Sequence, residues 1–220
     1  MKRYNLPTRK ECFNLLKEYA VPSHIVGHSV ATAKVAVFLA KRLKEKGVAI
    51  DIELVDRACL LHDIVRPSDF QESVYSKFEK NITDQQKAKW KQIRAKYKTV
   101  PHEYAAYEIL KDKYPELALA VKKHRYMALL DEKEKPSTWE EKLVYYADKR
   151  VMHEKIVPLK ERLAEGHKRN AHLHGSEAQS KINTAKVDPL IYKLEKEIFE
   201  EIGLDPVEIT DEFIDMHGIS

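Results

Sequence analysis

Ten histidines occur in the chain of 220 residues, and several of them fall on apolar helical faces. His28 is followed by Val35 and Leu39 at intervals of seven and eleven residues, which places all three side chains on one face of a helix. Three further polar side chains follow apolar residues at the same helical spacing: His62, His124 and Asp148. We therefore expect these four side chains to point into one helical core.

Buried imidazoles and carboxylates together are typical of a divalent metal site. An ionised carboxylate in an apolar interior either takes up a proton or finds a partner, and a metal ion is a partner that imidazole nitrogens also bind. For a single histidine, a hydrogen-bonded core residue is the simpler interpretation, and Asp148 alone could form a buried ion pair or bond a neighbouring tyrosine. The set as a whole favours a metal. Nitrogen and oxygen donors without thiolate suit Mn, Fe, Ni, Zn or Mg.

The composition predicts that helices position these residues. Only 6 Gly and 9 Pro occur in the chain, which leaves few sites for tight turns, and apolar residues recur at helical spacing almost throughout. The length suits one hydrophobic core, because single cores stop growing near roughly 250 to 300 residues. The fold class is therefore predicted to be all-α, a single-domain helical bundle.

Local signals predict where the first helices begin and end. A T-x-x-E capping box starts the first helix at Thr8. Residues 27–46 form a helix whose centre is apolar on every side, so it should lie inside the bundle, and Gly47 closes it. Asp51 caps the next helix, which we expect to end near Pro67.

The second half of the chain also predicts helices. Residues 69–98 are helix-forming but heavily charged, which indicates an outer helix or lid. Shorter helices are expected at about 102–112, 115–126, 138–151 and 154–166. Gly166 is predicted to end the last of these, and another helix is expected from Ser176 to Gly203, before a tail whose structure the sequence does not specify.

The order of the candidate ligands resembles a known signature. His28, the doublet His62-Asp63 and then Asp148 match the H…HD…D pattern of the HD-domain metal-dependent phosphohydrolase superfamily over roughly residues 22–165. The stretch HDIVRP is similar to the HD-I-x-[KR] turn of that superfamily. The resemblance implies a helical bundle of HD type at 22–165, with 69–98 as an insertion. An N-terminal helix within 1–21 precedes it, and a C-terminal helical extension at 166–220 follows it.

The resemblance also implies two metal sites. His102 opens one predicted helix and His124 ends another, and in binuclear members such as the YqeK-like dinucleoside tetraphosphate hydrolases two histidines at such places hold a second metal. The implied cofactors are two divalent ions, drawn from Fe, Mn, Ni, Zn and Mg. Their implied ligands are, for the first ion, His28, His62, Asp63 and Asp148, and for the second, Asp63, His102 and His124.

The activity implied by the resemblance is hydrolysis of a phosphate ester or anhydride of a nucleotide-like substrate by metal-activated water. Asp63 would bridge the ions, and Arg66, one turn further on, would bind a phosphoryl oxygen. Lys149 or Arg150 could serve the same end. The alternative for Arg66 is a charge at a helix C-terminus, and for Lys149 and Arg150 it is a solvated face.

Two other functions resemble this one in their ligands and stay open at this point. Some binuclear HD proteins are di-iron oxygenases, and others that have lost ligands are non-catalytic regulatory nucleotide-binding modules. The complete ligand set argues against the second alternative. The insertion at 69–98 should lie beside the pocket, so the substrate class depends on it.

Several classes are disfavoured by the composition. The chain has no glycine-rich phosphate-binding loop and no nucleophile elbow, which removes the main support for P-loop ATPases, Rossmann dehydrogenases and α/β-hydrolases. The net charge of +4 is the small difference between 39 basic and 35 acidic residues, so nucleic acid is not an expected partner. Cys12 and Cys59 lie far apart, and no apolar segment approaches the ~20 residues that span a bilayer. We expect a cytoplasmic protein that binds a small phosphate ester, with a homo-oligomeric state left open.

Overall fold

A computed structural model describes residues 4–69, 82–170 and 177–218, and it confirms the all-α prediction. The one sheet in the described residues is a short antiparallel hairpin, β1 (Val151–Met152) and β2 (Lys155–Ile156). The α-helices are α1 (Arg9–Glu18), α2 (Ser23–Glu45), α3 (Ile52–Leu61), α4 (Asp84–Tyr97), α5 (His102–Leu110), α6 (Pro115–Lys122), α7 (Trp139–Asp148), α8 (Leu159–Asn170), α9 (Glu177–Ile202) and α10 (Asp211–His217).

Short polar side chains fix the helix starts. The capping box predicted at Thr8 is present, and equivalent boxes begin α4 at Thr83 and α7 at Thr138. Asp51 caps α3 by accepting a hydrogen bond from the backbone N–H of Leu54 at 3.0 Å. These caps satisfy backbone donors that the first helical turn leaves unpaired.

The core is centred on α2. This helix packs against α3 and α7, and α3 also packs against α6. The central apolar run of α2, Val35 to Ala40, is almost wholly buried, as the sequence predicts. By length and composition α2 could cross a membrane, and the surrounding helices bury 56% of its apolar window, as the core helix of a bundle requires.

The end of α3 differs from its prediction. The helix ends at Leu61 rather than near Pro67, and the chain then tightens into i→i+3 bonds, including Ile64 N–H to the Leu61 carbonyl and Arg66 N–H to the Asp63 carbonyl. A 3₁₀ turn at Arg66–Asp69 follows. Pro67 disfavours helical dihedrals in the residue before it, so the helix cannot extend to it. The His62-Asp63 doublet therefore lies in a turn.

Other predicted boundaries also differ from the structure. α8 begins at Leu159 rather than near residue 154, because the hairpin β1–β2 extends to Ile156. α8 continues past Gly166 to Asn170, because a glycine in a helix costs only about 1 kcal/mol and Glu165 forms ion pairs with residues on both sides of it. α6 ends at Lys122 and α7 at Asp148, each a few residues earlier than predicted. The hairpin was not predicted, since two-residue strands carry no periodic signal.

The charged segment and the C-terminal extension both pack on the core. α4 buries Trp90 and Ile93 and lies against the 3₁₀ turn at Arg66–Asp69, while residues 70–81 of the predicted insertion lie outside the described residues. α9 packs on α2 and α7, and α10 packs on α2. The predicted start of α9 at Ser176 lies outside the described residues, and its predicted end is confirmed within one residue.

Candidate metal centre

Helix ends bring the six predicted ligands to one place. His28 lies in the second turn of α2, and the doublet follows the last residue of α3. His102 is the first residue of α5, His124 follows α6, and Asp148 is the last residue of α7. Successive imidazole rings are neighbours, with centroids 5.3 Å apart for His28 and His62, 5.0 Å for His62 and His124, and 5.5 Å for His102 and His124.

The first group of donors surrounds His62. Its Nε2 lies 3.7 Å from Asp63 Oδ2 and 3.7 Å from Asp148 Oδ1. His28 Nε2 lies 3.0 Å from the same Asp148 oxygen. One donor atom each from His28, His62 and Asp63 lie within 4.8 Å of one another, which is a separation that one ion can span.

The second group shares Asp63 with the first. Asp63 Oδ1 lies 3.2 Å from His102 Nε2 and 3.9 Å from His124 Nε2. Donor atoms of these three residues also lie within 4.8 Å of one another. The two oxygens of Asp63 thus face different donor groups, and this carboxylate is the one common member.

Backbone carbonyls set the orientation of three rings. His62 Nδ1 donates to the Cys59 carbonyl at 2.7 Å, His124 Nδ1 to the Val121 carbonyl at 2.5 Å, and His28 Nδ1 to the His153 carbonyl at 3.0 Å. A carbonyl only accepts, so each Nδ1 carries a proton and each Nε2 faces the cluster, where it is the atom that a metal ion would bind. Histidines that bind metals in proteins usually donate their other ring N–H to a carbonyl or carboxylate in this way.

The cluster holds its carboxylates in the ionised form. Burial alone would raise the pKa of Asp148, but Lys149 and the neighbouring imidazoles outweigh it and hold that pKa well below its usual range. Burial likewise opposes ionisation of Asp63, yet the charges of His62 and Arg66 hold its pKa well below the usual range. Both carboxylates are therefore available as anionic ligands at neutral pH.

The two histidines of the second group differ in protonation. Burial, reinforced by the charge of His62, lowers the pKa of His124 to about 4, so its imidazole is neutral at pH 7. Burial also lowers the pKa of His102, but Glu103 and two aspartates outweigh it and raise that pKa to about 10. An ion that binds His102 must therefore displace a proton from Nε2.

The residues present fit divalent ions. Among the residues that the structure describes, the buried His62 Nε2 has no hydrogen-bond partner, although a buried nitrogen without one is costly. A donor set of imidazole nitrogens and carboxylate oxygens, with no sulfur, matches the ions expected from the sequence.

Lys149 and Arg150 follow Asp148, and the structure separates them. Lys149 is buried, and its Nζ donates to Asp148 Oδ2 at 3.0 Å and to the His124 carbonyl at 2.7 Å. It therefore contacts one residue of each donor group, and both hydrogen bonds keep it from binding substrate.

Arg150 does not reach the cluster, contrary to its predicted place beside the substrate. Its guanidinium donates to the Tyr146 hydroxyl at 2.7 Å and to the carbonyls of Val157, Pro206 and Ile209. The reason is geometric, since neighbouring residues at a helix end point about 100° apart. These hydrogen bonds hold the segment that contains Pro206 and Ile209 against the core.

Arg66 lies beside the cluster, where the sequence places it. Its Nη1 is 3.0 Å from His102 Nδ1 and 3.1 Å from Asp69 Oδ2, and 28% of its side chain is exposed. It is thus close enough to the donors, and open enough to solvent, to meet an anionic ligand.

Three residues that contact the cluster or interact electrostatically with Arg66 were missed in the sequence. Asp69 and Glu103 face His102, with Oδ2 and Oε2 at 3.0 and 3.5 Å from its Nδ1. Arg169 on α8 interacts electrostatically with Arg66, and burial together with neighbouring arginines lowers its pKa. The local signal for Asp69 was its position one turn after Arg66, whereas the placement of Arg169 depends on how α8 packs and has no local signal.

A family model described as HD domain matches residues 25–152, a range that contains all six predicted ligands. The chain belongs to the HD domain family. The predicted membership of the HD-domain superfamily of metal-dependent phosphohydrolases is thereby confirmed, and α8, α9 and α10 lie beyond the matched region. No curated protein and no solved structure matches the chain significantly.

Proposed function

We propose that this HD-domain protein hydrolyses a phosphate ester or anhydride of a nucleotide-like substrate with two divalent ions. The observation that carries the proposal is the pair of donor groups that meet at Asp63, one oxygen toward each group. A binuclear centre of this kind is a recurrent solution for phosphoryl transfer to water.

The ligands divide as the donor groups do. His28, His62 and Asp148 would hold one ion together with Asp63, and His102 and His124 would hold the other together with Asp63. Bound ions supply Lewis acidity toward a phosphoryl oxygen and a water of lowered pKa. Asp63 keeps both sites anionic, and Lys149 keeps Asp148 ionised and in place.

Arg66, beside the cluster, favours an anionic substrate. Its Nη1 lies 3.0 Å from His102 Nδ1, and Arg169 on α8 adds a further positive charge within electrostatic range of it. A guanidinium binds two phosphate oxygens with charge-assisted hydrogen bonds, which are roughly twice as strong as neutral ones. A phosphoryl group at the donor groups would bring its anionic oxygens beside the Arg66 guanidinium, which supports a substrate with more than one anionic oxygen.

The test combines metal analysis with hydrolysis assays. Purified protein should bind two ions per chain after reconstitution with Mn, Fe, Ni, Zn or Mg, and it should release phosphate from at least one member of a nucleotide panel. In ¹⁸O-water the label should enter the phosphate product, since attack occurs at phosphorus. Label in the alcohol product would contradict the proposed reaction.

A variant pair assigns the activity to the cluster. Asp63→Ala removes the carboxylate common to both groups, so we expect loss of both ions and of turnover. His217→Ala alters an exposed histidine outside the cluster and should leave both unchanged. If Asp63→Ala hydrolyses the substrate at the wild-type rate, the assignment is wrong.

Dioxygen consumption with a mixed-valence iron signal, and no hydrolysis by the wild type, would instead indicate a di-iron oxygenase.

A further inference from the structure

Asp69 occupies a place that the ligand set does not explain. It ends the 3₁₀ turn after the doublet, and its Oδ2 lies 3.0 Å from His102 Nδ1 and 3.1 Å from Arg66 Nη1. One carboxylate oxygen therefore contacts a candidate metal ligand and the candidate phosphate-binding arginine at once. The other ring nitrogen of His102 faces Asp63 at 3.2 Å.

His102 needs a side-chain acceptor because of where it lies in its helix. His62 and His124 follow helices, and each donates from Nδ1 to the carbonyl three residues before it. His102 is the first residue of α5, so the residue three before it, Thr99, precedes the helix and Pro101. The carbonyl at that position is therefore not part of a helix that ends at His102, and Asp69 Oδ2 is a side-chain acceptor at hydrogen-bond distance from Nδ1. Arg66 Nη1 also lies 3.0 Å from Nδ1, but a guanidinium only donates and cannot accept the Nδ1 proton.

Glu103 is the competing acceptor, and the distances favour Asp69. Glu103 Oε2 lies 3.5 Å from His102 Nδ1, beyond the usual range of an N–H···O hydrogen bond, whereas Asp69 Oδ2 at 3.0 Å is at the common value. Glu103 is nearly buried and Asp69 is exposed. Glu103 is nevertheless a useful comparison in a test, because both carboxylates lie near His102 Nδ1 and only that of Asp69 is at hydrogen-bond distance.

We propose that Asp69 is the positioning residue of the second metal site: it fixes the Nδ1–H tautomer of His102 so that Nε2 faces Asp63, and it holds Arg66 beside that ring. The inference rests on the proposed function for the identity of the second site. A carboxylate behind a ligating imidazole raises its basicity as well as fixing its orientation, and loss of such a partner costs 10- to 100-fold in metal affinity. Asp69 thus couples the second ion to the site that binds phosphate.

The experiment compares Asp69→Ala, Asp69→Asn and Glu103→Gln with the wild type. In NMR spectra of the metal-free protein, the His102 Nδ1–H proton should exchange slowly with water in the wild type and in Glu103→Gln, so that its ¹⁵N–¹H signal is visible. In Asp69→Ala, fast exchange with water should remove this signal. In titrations with Mn²⁺ or Zn²⁺, Asp69→Ala should bind the ion at the second site, which contains His102, roughly 10- to 100-fold less tightly than the wild type does. Its affinity for the ion at the first site should be unchanged. Asp69→Asn, which retains an acceptor oxygen, should fall between Asp69→Ala and the wild type.

The outcomes separate this inference from the proposed function. A protected His102 signal in Asp69→Ala, or an equal loss of protection in Glu103→Gln, would overturn the role of Asp69 whatever the protein hydrolyses. Two ions bound by Asp69→Ala with wild-type affinity would overturn it as well. Failure of the wild type to bind two ions or to hydrolyse any phosphate would refute the proposed function, while the His102 signal would still decide whether Asp69 orients the ring.

Discussion

Replacing Lys149 by Met should destabilise the metal-free protein far more than its place at a helix end suggests. The side chain is 7% exposed, and its Nζ lies 3.0 Å from Asp148 Oδ2, 2.7 Å from the His124 carbonyl and 4.0 Å from the centre of the Tyr145 ring. Methionine has a similar shape but no charge and no donor. The variant therefore leaves a buried carboxylate without its nearest cation and a carbonyl without its donor.

The magnitude follows from those two losses. Breaking a buried ion pair by removing one partner costs about 3 to 5 kcal/mol, and Asp148 is 15% exposed and keeps its bond from His28, which places the loss near the lower limit. We expect the free energy of unfolding to fall by about 3 kcal/mol at pH 7. With a urea m-value near 3 kcal/mol per M, the midpoint moves down by about 1 M.

Metal binding should reverse most of this loss. Ions at the cluster supply the positive charge that Asp148 lacks in Lys149→Met, so the deficit should shrink to the roughly 1 kcal/mol due to the unpaired His124 carbonyl. Urea unfolding of both proteins, in EDTA and after reconstitution, measures the two differences. Lys142→Met is the control, because Lys142 forms a surface ion pair with Glu197 and should cost less than about 1 kcal/mol in either state. Equal deficits with and without metal would refute the electrostatic role of Lys149.

Three further results are expected. Arg66→Ala should keep both ions and lower kcat/KM by roughly 10- to 100-fold, as the loss of a charge-assisted hydrogen bond implies. Lys168→Ala, which removes a positive charge from an exposed position on α8, is the control and should leave the steady-state kinetics unaltered. Burial opposes ionisation of Glu141, but hydrogen bonds from Lys123 and backbone amides lower its pKa, so its stabilisation is present above about pH 4.3 and is lost as pH falls through the lowered pKa. Glu141→Gln should therefore lower the free energy of unfolding at pH 7 by roughly 1.5 to 3 kcal/mol, as for hydrogen bonds to a charged group, and the difference should shrink as the pH is lowered. Tyr126→Phe removes a 2.7 Å bond to Asp188 on α9 and should lower the free energy of unfolding by about 1.5 kcal/mol in urea titrations.

The fold was predictable where local signals and burial agree. The caps at Thr8 and Asp51 and the apolar centre of α2 each specify a helix without reference to the rest of the chain. Gly47 ends its helix with φ at +87°, a dihedral that favours glycine, whereas Gly166 lies within α8. A glycine marks a helix end only when the next packing contact requires a positive φ, and the sequence does not contain that information.

The candidate site divides in the same way. Apolar faces predicted that His28, His62, His124 and Asp148 point inward, and the structure brings them together. His102 was included through the family resemblance, because it lies at a helix start with no long apolar face. Asp69 and Arg169 were missed, since they approach the cluster through a 3₁₀ turn and through the packing of α8. The direction of Arg150 was also not predictable, because it depends on the backbone just beyond the end of α7.

The positions of the ligands at helix ends explain why this cluster can accept cations. α3, α6 and α7 all terminate at it, and a helix C-terminus leaves its last carbonyls unpaired and carries a partial negative charge. Two of those carbonyls, of Cys59 and Val121, accept the Nδ1 protons of the histidines that follow their helices. The same backbone groups thus orient the rings and add negative potential at the site. A histidine three residues after a helix-end carbonyl therefore supplies both the donor and its orientation. His102 lies at the opposite kind of helix end and depends on a carboxylate for the same result.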